Sequence, residues 1–149
     1  MEIRDLLSPE TVVYTIRATS KKQVLQELAS LAANVSGQNQ RAIFDVLLER
    51  ERLGTTGIGR GVAIPHGKLP SLDRLYGVFA KLENPVDFDA VDNQEIDLVF
   101  LLIAPEKAGA DHLQALSRIS RMFRDFKMCK KLRAADNQKM LHKLLLNQA

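Results

Sequence analysis

The sequence contains no tryptophan, a single cysteine and no long apolar run, and each of these scarcities argues against a class of protein. Cys129 has no second cysteine with which to form an internal disulfide, so a reducing compartment is favoured over secretion. No segment approaches the roughly twenty apolar residues that a membrane-spanning helix requires. The amino terminus, MEIRDLLSPETVVY, has acidic residues where a secretory signal would carry positive charge. We therefore expect a cytoplasmic protein with no membrane insertion.

Acidic residues are scarce in one segment, residues 118–133. The whole chain has a formal charge of +3, and this segment holds seven Lys or Arg side chains against one acid, Asp125. Few aromatic residues accompany these cations, so base stacking has little to build on and direct nucleic-acid binding is not expected. A solvated helix face is the simplest interpretation, and a docking surface for an acidic protein is the alternative.

Several segments carry the apolar spacing of amphipathic helices. Ser20 opens a capping-box pattern, and the apolar residues that follow recur at helical spacing until Gly37. A second helix is predicted to begin at Asn39, with Gly54 placed to end it. Past Pro105, the pattern predicts a helix of about fifteen residues from Asp111 and two short helices at the end of the chain.

Two further segments, residues 76–82 and 96–104, are apolar, rich in β-branched and aromatic residues, and too short for comfortable helices. They are predicted to be strands, the second one covered on both faces. A chain of 149 residues that is 46% hydrophobic can bury a core without disulfides or a structural metal. We therefore expect one α/β domain over residues 1–149, with a mixed β-sheet flanked by helices on both faces.

Glycine is dense only in residues 54–68, GTTGIGRGVAIPHGK, and this stretch fits neither common phosphate-loop pattern. Arg60 and Gly61 stand where a nucleotide-binding loop requires Lys and Ser or Thr, and the glycine spacing departs from the dinucleotide fingerprint. Pro65 is predicted to end the short apolar strand before it and to expose His66. Gly67 would then allow a partner's backbone or a phosphoryl group to come close.

Two more polar residues interrupt apolar patterns. Arg50 continues the apolar face of its helix, so it must either extend its charge to solvent or meet a negative partner. His112 starts the apolar face of the helix that follows the long apolar strand, where the helix dipole disfavours the cationic imidazole. Because His66 and His112 each follow a predicted strand, both are expected near the carboxyl edge of one sheet.

Two neutral imidazoles and an arginine favour phosphoryl transfer, with one ring nitrogen as nucleophile and the guanidinium stabilising charged oxygens. A metal-dependent hydrolase lacks a convincing third ligand, so neither a metal nor another cofactor is expected. His142 lies among leucines of the last predicted helix and is interpreted as a surface or packing residue. The remaining alternative is a binding module that uses residues 118–133.

The segment TGIGRGVAIPHGK resembles the phosphorylation-site signature of enzyme IIA of the bacterial phosphoenolpyruvate-dependent phosphotransferase system, in its fructose, mannitol and nitrogen branch. The resemblance extends over roughly residues 5–146 and implies a mixed sheet flanked by helices. It implies that His66 accepts a phosphoryl group from a small HPr-like histidine phosphocarrier. Arg50 in ERERLG and His112 in ADHLQALS match the other two active-site positions. Thr56 and Gly67 are also expected near the phosphoryl group.

The segment FDAVDNQEIDLVFLLIAP is similar to the nitrogen-type proteins of this family. Such proteins are regulators, so the resemblance implies binding to potassium transporters or sensor kinases according to phosphorylation state. A sugar-specific, fructose- or mannitol-type enzyme IIA that passes its phosphoryl group to an enzyme IIB stays open as an alternative. In either case the protein would be a phosphotransferase component, a relay between proteins rather than an independent multiple-turnover enzyme.

Overall fold

The computed structural model describes residues 2–147 and contains six helices and six strands within that range. The helices are α1 (Ile3–Leu6), α2 (Lys21–Ser36), α3 (Gln40–Arg52), α4 (Ala110–Arg124), α5 (Phe126–Ala134) and α6 (Gln138–Leu146). The strands are β1 (Val12–Ile16), β2 (Gly57–Gly59), β3 (Val62–Ala63), β4 (His66–Leu69), β5 (Tyr76–Val86) and β6 (Ile96–Pro105). A short 3₁₀ turn, Pro9–Thr11, precedes β1.

The six strands form one mixed sheet in the order β1-β5-β6-β3-β2, and β4 pairs with β6 beyond the end of β3. Strand β6 is central: it runs antiparallel to β5 and parallel to both β3 and β4. Strands β1 and β5 are parallel, whereas β2 and β3 form an antiparallel hairpin at the edge. The predicted mixed sheet is therefore confirmed.

Strand β6 sends alternate side chains into two separate cores, because successive residues of a strand point to opposite faces. Leu98, Phe100 and Leu102 pack in the core that includes residues of α1, α4, α5 and α6. Val99, Leu101 and Ile103 pack in the core that includes residues of α2 and α3. Helices thus cover both faces of the sheet, as predicted, which explains why β6 is apolar almost throughout.

The two helices before the glycine-rich stretch begin and end where their capping residues predict. The Ser20 hydroxyl accepts from the Gln23 amide at 3.2 Å, and the Asn39 side chain accepts from the Ala42 amide at 3.0 Å. Gly37 ends α2 in the left-handed conformation, with φ 74°. Helix α3 ends at Arg52, so Arg50 lies in its last turn.

Several elements differ from the sequence-based expectation. Helix α1 and strands β1, β2 and β4 were not predicted, and β5 continues to Val86 rather than stopping at residue 82. The segment between β5 and β6 also contributes to the core, since Phe88 and Ala90 are buried beside α2 and α3. These two buried side chains attach the β5–β6 connection to the core.

The last two helices close the second core. Cys129 of α5 is buried, its thiol donates to the Phe123 carbonyl, and burial raises the pKa of that thiol. Arg133 reaches across to Asp97 with Nε–Oδ2 at 2.9 Å, and so joins α5 to β6. Among residues 2–147, no helix combines the length and apolar character that crossing a membrane requires.

Candidate functional site

His66 is the first residue of β4 and lies beside the central strand. Pro65 interrupts the path between β3 and β4, yet its carbonyl still accepts from the Leu102 amide at 3.0 Å. His66 is aligned with Leu102 in a parallel pair and is half-buried. The apolar strand before Pro65 ends at Ala63, as predicted, but His66 is half-buried rather than fully exposed, because pairing with β6 resumes at His66.

Gly67 lies on the opposite face of β4, against α3. A Cβ atom built at Gly67 would overlap the side chain of Val46, with Leu47 next nearest at 3.9 Å. The absence of a side chain at this position lets α3 pack directly on β4. Gly67 thus has a packing role that the sequence-based interpretation, which concerned access for a phosphoryl group, did not anticipate.

His112 and His66 are brought together, as predicted. His112 lies in the first turn of α4, which follows β6, and its ring centroid is 5.8 Å from that of His66. The His112 side chain is buried, and its Nε2 atom has no hydrogen-bond partner among residues 2–147. A buried polar atom without a partner is unfavourable, so this nitrogen is suited to a group that arrives from outside the chain.

Arg50 completes the cluster from the last turn of α3. Its guanidinium donates to the Gly54 carbonyl at 2.9 Å, and this bond ties the side chain to the segment that follows the helix. A guanidinium has five N–H donors, and this bond uses only one of its nitrogens. An open cavity of about 360 Å³ joins these residues. It is lined by Val46, Glu49, Arg50, Leu53, His66, Gly67, Lys68 and His112.

The protonation of His66 follows from one contact. Its Nδ1 lies 2.8 Å from the Ile64 carbonyl oxygen, which can only accept a hydrogen bond. Nδ1 therefore carries the proton of the neutral ring, and the lone pair is on Nε2. Burial lowers the pKa of His66, and Arg50 lowers it further, whereas the Ile64 carbonyl and Glu51 act in the opposite direction.

Burial also lowers the pKa of His112, and the neighbouring His66 and Lys68 add to that effect. Both imidazoles are consequently neutral at pH 7, because an ordinary histidine already titrates near pH 6.5. Neutral His112 can donate from one nitrogen and accept at the other. Lys68 was not singled out from the sequence, since an isolated lysine is usually a surface residue.

Thr56 does not line this cavity. It is buried, its amide donates to Glu51 Oε1 at 3.0 Å, and its hydroxyl hydrogen-bonds to Glu51 Oε2. Lys21 approaches Glu51 Oε1 from α2 at 2.9 Å. Glu51 directly follows Arg50, so this buried network fastens the last turn of α3 to the segment before β2. In the sequence, the only indication of this network is the position of Glu51, a charged residue at the buried end of a helix.

The chemistry available is transfer of a negatively charged group to an unprotonated nitrogen beside cations. Glu49 is the carboxylate that lines the cavity, and it pairs with Arg52. No group of three or more His, Cys, Asp or Glu side chains in residues 2–147 is arranged to hold a metal ion. An imidazole nucleophile, a guanidinium and an ammonium group together fit a phosphoryl group better than a neutral substrate.

Comparison with known proteins agrees with this chemistry. Residues 5–148 match the family described as phosphoenolpyruvate-dependent sugar phosphotransferase system, EIIA 2. A nitrogen regulatory protein of Bradyrhizobium diazoefficiens is 56% identical over 97% of this chain and 95% of its own length. One from Klebsiella oxytoca is 38% identical over 97% of this chain and 90% of its own.

Solved structures give the same result. Nitrogen regulatory protein IIA-Ntr from Neisseria meningitidis superposes with a TM-score of 0.91 at 32% identity, covering 96% of this chain and 98% of its own. Mannitol IIA from Escherichia coli, at 20% identity and a TM-score of 0.78, shares the fold over 93% of this chain and 98% of its own. The predicted resemblance is confirmed: the chain is similar to nitrogen regulatory proteins, and it belongs to the EIIA type 2 family of the phosphoenolpyruvate-dependent phosphotransferase system, which transfers phosphoryl groups between proteins.

Proposed function

We propose that the protein is a phosphocarrier that accepts a phosphoryl group on Nε2 of His66 from an HPr-like histidine phosphocarrier. The observation that carries this proposal is the 2.8 Å contact between His66 Nδ1 and the Ile64 carbonyl, which leaves Nε2 unprotonated beside the cavity. A nucleophile of this kind needs no general base, because no proton has to leave the attacking nitrogen.

The proposed step is an in-line transfer. The Nε2 lone pair forms the new N–P bond while the donor's N–P bond breaks, and that electron pair returns to the donor nitrogen. Positive charge develops on the His66 ring as the bond forms, and the Nδ1–H donated to the Ile64 carbonyl stabilises it. The carbonyl also fixes the ring orientation, so that the attacking nitrogen is in place before the donor arrives.

Arg50, His112 and Lys68 would bind the phosphoryl oxygens. Arg50 offers the N–H groups that its bond to Gly54 leaves over, and the buried His112 Nε2 would gain the partner that it lacks. Gly67 lines the cavity, so its predicted proximity to phosphate stays a prediction. Buried Thr56 would act through Glu51 and Arg50 rather than by touching phosphate.

The regulatory role is the second part of the proposal. We propose that the phosphorylation state of His66 controls binding to proteins of potassium or nitrogen metabolism, such as transporters or sensor kinases, in the cytoplasm. The similarity to nitrogen regulatory proteins supports this assignment over a sugar-specific enzyme IIA. A phosphoryl group adds about two negative charges at pH 7, enough to change docking without refolding.

We propose further that residues 1–149 form one EIIA type 2 domain.

The test is the intact mass of the protein after incubation with phosphoenolpyruvate and the upstream enzyme and histidine carrier. We expect one acid-labile phosphoryl group on the native chain and on His142→Ala, a matched control on α6, and none on His66→Ala. Normal labelling of His66→Ala would overturn the proposal, and so would an unlabelled native chain when a known enzyme IIA is labelled in the same mixture.

Variants of the neighbouring residues test the roles of the cluster. Arg50→Ala and His112→Ala should slow labelling by roughly 10²–10³-fold, as the loss of a charge-stabilising donor does in other enzymes. Incubation of the labelled protein with a mannitol-type enzyme IIB distinguishes the sugar-specific alternative, since rapid loss of label to that acceptor would favour it. Labelling of both variants at the native rate would show that neither side chain contacts the transferred group.

A further inference from the structure

An exposed aromatic residue lies at the start of α5, outside both cores. Phe126 is 70% exposed, and the guanidinium of Arg60, at the tip of the β2–β3 hairpin, lies 4.3 Å from the centre of its ring. Arg60 is held in place from both sides, because its amide donates to Asp92 at 2.8 Å and its carbonyl accepts from Arg133 at 2.8 Å. These bonds hold the backbone of Arg60, which places its guanidinium beside the Phe126 ring.

Cations surround this pair. On α5, Lys127, Lys130 and Lys131 share the exposed side of the helix with Phe126, whereas Met128, Cys129 and Leu132 are buried. Arg124, the last residue of α4, is separated from this helix only by the capping residue Asp125 and is exposed. We call the surface formed by Arg60, Arg124, Phe126, Lys127, Lys130 and Lys131 the α5 face.

Few acidic groups offset these charges. Within residues 2–147, no carboxylate forms a salt bridge with the side chain of any of the five cations of the α5 face. The nearby carboxylates have other partners: Asp125 caps α5, Asp92 accepts from the amides of Arg60 and Gln94, and Asp97 pairs with Arg133. The like charges on the α5 face repel one another, and a negatively charged partner would relieve that repulsion.

The α5 face lies far from the transfer site. His112 is in the first turn of α4 and Arg124 is its last residue, a separation of about 18 Å at 1.5 Å per residue. That distance exceeds the Debye length of about 8 Å at physiological salt. A charge placed on His66 is therefore strongly screened at the α5 face.

We propose that the α5 face is a docking surface for an acidic protein segment that carries an apolar side chain, and that docking there does not depend on phosphorylation of His66. The cations supply the attraction to acidic residues, and the Phe126 ring supplies a rigid apolar anchor of the kind that dominates protein interfaces. Nucleic acid fits less well, because sequence-tolerant stacking uses several open aromatic rings and the Phe126 ring is already covered by Arg60 on one side.

The experiment measures binding of a fluorescent fourteen-residue peptide of Glu and Asp with a central Leu-Phe pair, at 0.15 M salt. Lys127→Glu/Lys130→Glu should weaken binding by about tenfold or more, because it reverses two charges of the face. Lys139→Glu/Lys143→Glu makes the same change in net charge on exposed lysines of α6 and should alter binding less than about twofold. Equal weakening by both pairs would reduce the effect to net charge and overturn the proposal.

Phe126→Ala tests the anchor separately. It should weaken the Leu-Phe peptide by about fivefold and leave a peptide with Ser-Ser at the centre unchanged, since only the first places an apolar group on the ring. Circular dichroism checks that the variant is folded. Folding is expected because the Phe126 side chain is 70% exposed in the native protein. An equal effect on both peptides, or tighter binding of a fourteen-nucleotide single-stranded DNA, would overturn the proposal.

The independence from phosphorylation has its own readout. The native protein, labelled on His66 and then purified, should bind the Leu-Phe peptide within about twofold of the unlabelled protein. A larger change would show that the two surfaces are coupled and would contradict this part of the proposal. Lys127→Glu/Lys130→Glu should still accept label at the native rate, because neither lysine lies near the cavity.

Discussion

Replacement of Gly67 by alanine is expected to weaken the packing of α3 on β4. The added Cβ would overlap Val46, a branched side chain of α3 that has no flexible end to move aside. Overpacking of this kind typically costs about 1–3 kcal/mol, and the lower entropy of the unfolded alanine chain returns about 0.4–1 kcal/mol. We therefore expect a net loss of about 1–2 kcal/mol, or roughly 2–8 °C in Tm for a chain of this size.

Val46→Ala supplies the compensating change. It removes the methyl group that a residue 67 side chain would meet, and because Val46 is only partly buried it should cost about 1 kcal/mol or less. In the double variant the new Cβ occupies the space that Val46 vacates. The two substitutions should therefore couple favourably by about 1–2 kcal/mol.

The assay is urea unfolding of the native chain, both single variants and the double variant, with equal m-values as the check on two-state behaviour. Additive free energies would refute the packing argument. Labelling of His66 in the same four proteins then separates two roles of Gly67. Recovery of labelling in the double variant supports packing, whereas persistent loss supports the sequence-based view that a phosphoryl group must approach Gly67 closely.

The remaining predictions concern protonation and the buried network. Burial holds the pKa of His66 and His112 below that of an unfolded histidine, so the unfolded chain binds protons first as the pH falls. Stability should therefore decrease below about pH 6.5, and the decrease should be smaller in His112→Asn. The measurement compares the urea midpoints at pH 7.5 and 5.5, and a higher midpoint at pH 5.5 would contradict the prediction. Thr56→Val should cost about 1–3 kcal/mol, because it removes the hydroxyl bonded to buried Glu51, whereas Thr56→Ser should retain most of the stability; equal losses in urea unfolding would assign the effect to shape instead.

Much of the fold could be predicted because local chemistry and tertiary structure agree. Ser20, Gly37 and Asn39 each satisfy a helix end in the way their side chain or backbone allows, and the structure uses all three. The apolar run of β6 predicts a strand that is buried on both faces, and the structure buries β6 in the centre of the sheet. The proximity of His66 and His112 followed from the same reasoning, since each was placed after a strand.

The errors come from elements whose stability is not local. Strand β1, VVYTI, has the β-branched and aromatic composition of a strand, but it is only five residues long with an irregular burial pattern, and its place in the sheet comes from parallel pairing with β5. His66 was placed beyond a strand because Pro65 removes an amide, yet β6 supplies new partners on the other side of the proline. The roles of Gly67 and Thr56 depend on Val46 and Glu51, which reach them only through tertiary packing.

The buried thiol described in α5 makes the protein convenient for site-directed labelling. Cys129 is enclosed in the second core, and its raised pKa leaves little of the reactive thiolate at neutral pH. A reporter cysteine introduced at Leu53, which is 86% exposed at the cavity rim, would react with a maleimide dye far faster than Cys129. A second reporter at Lys127 would mark the α5 face, so the two ends of the molecule can be followed without first removing the natural cysteine.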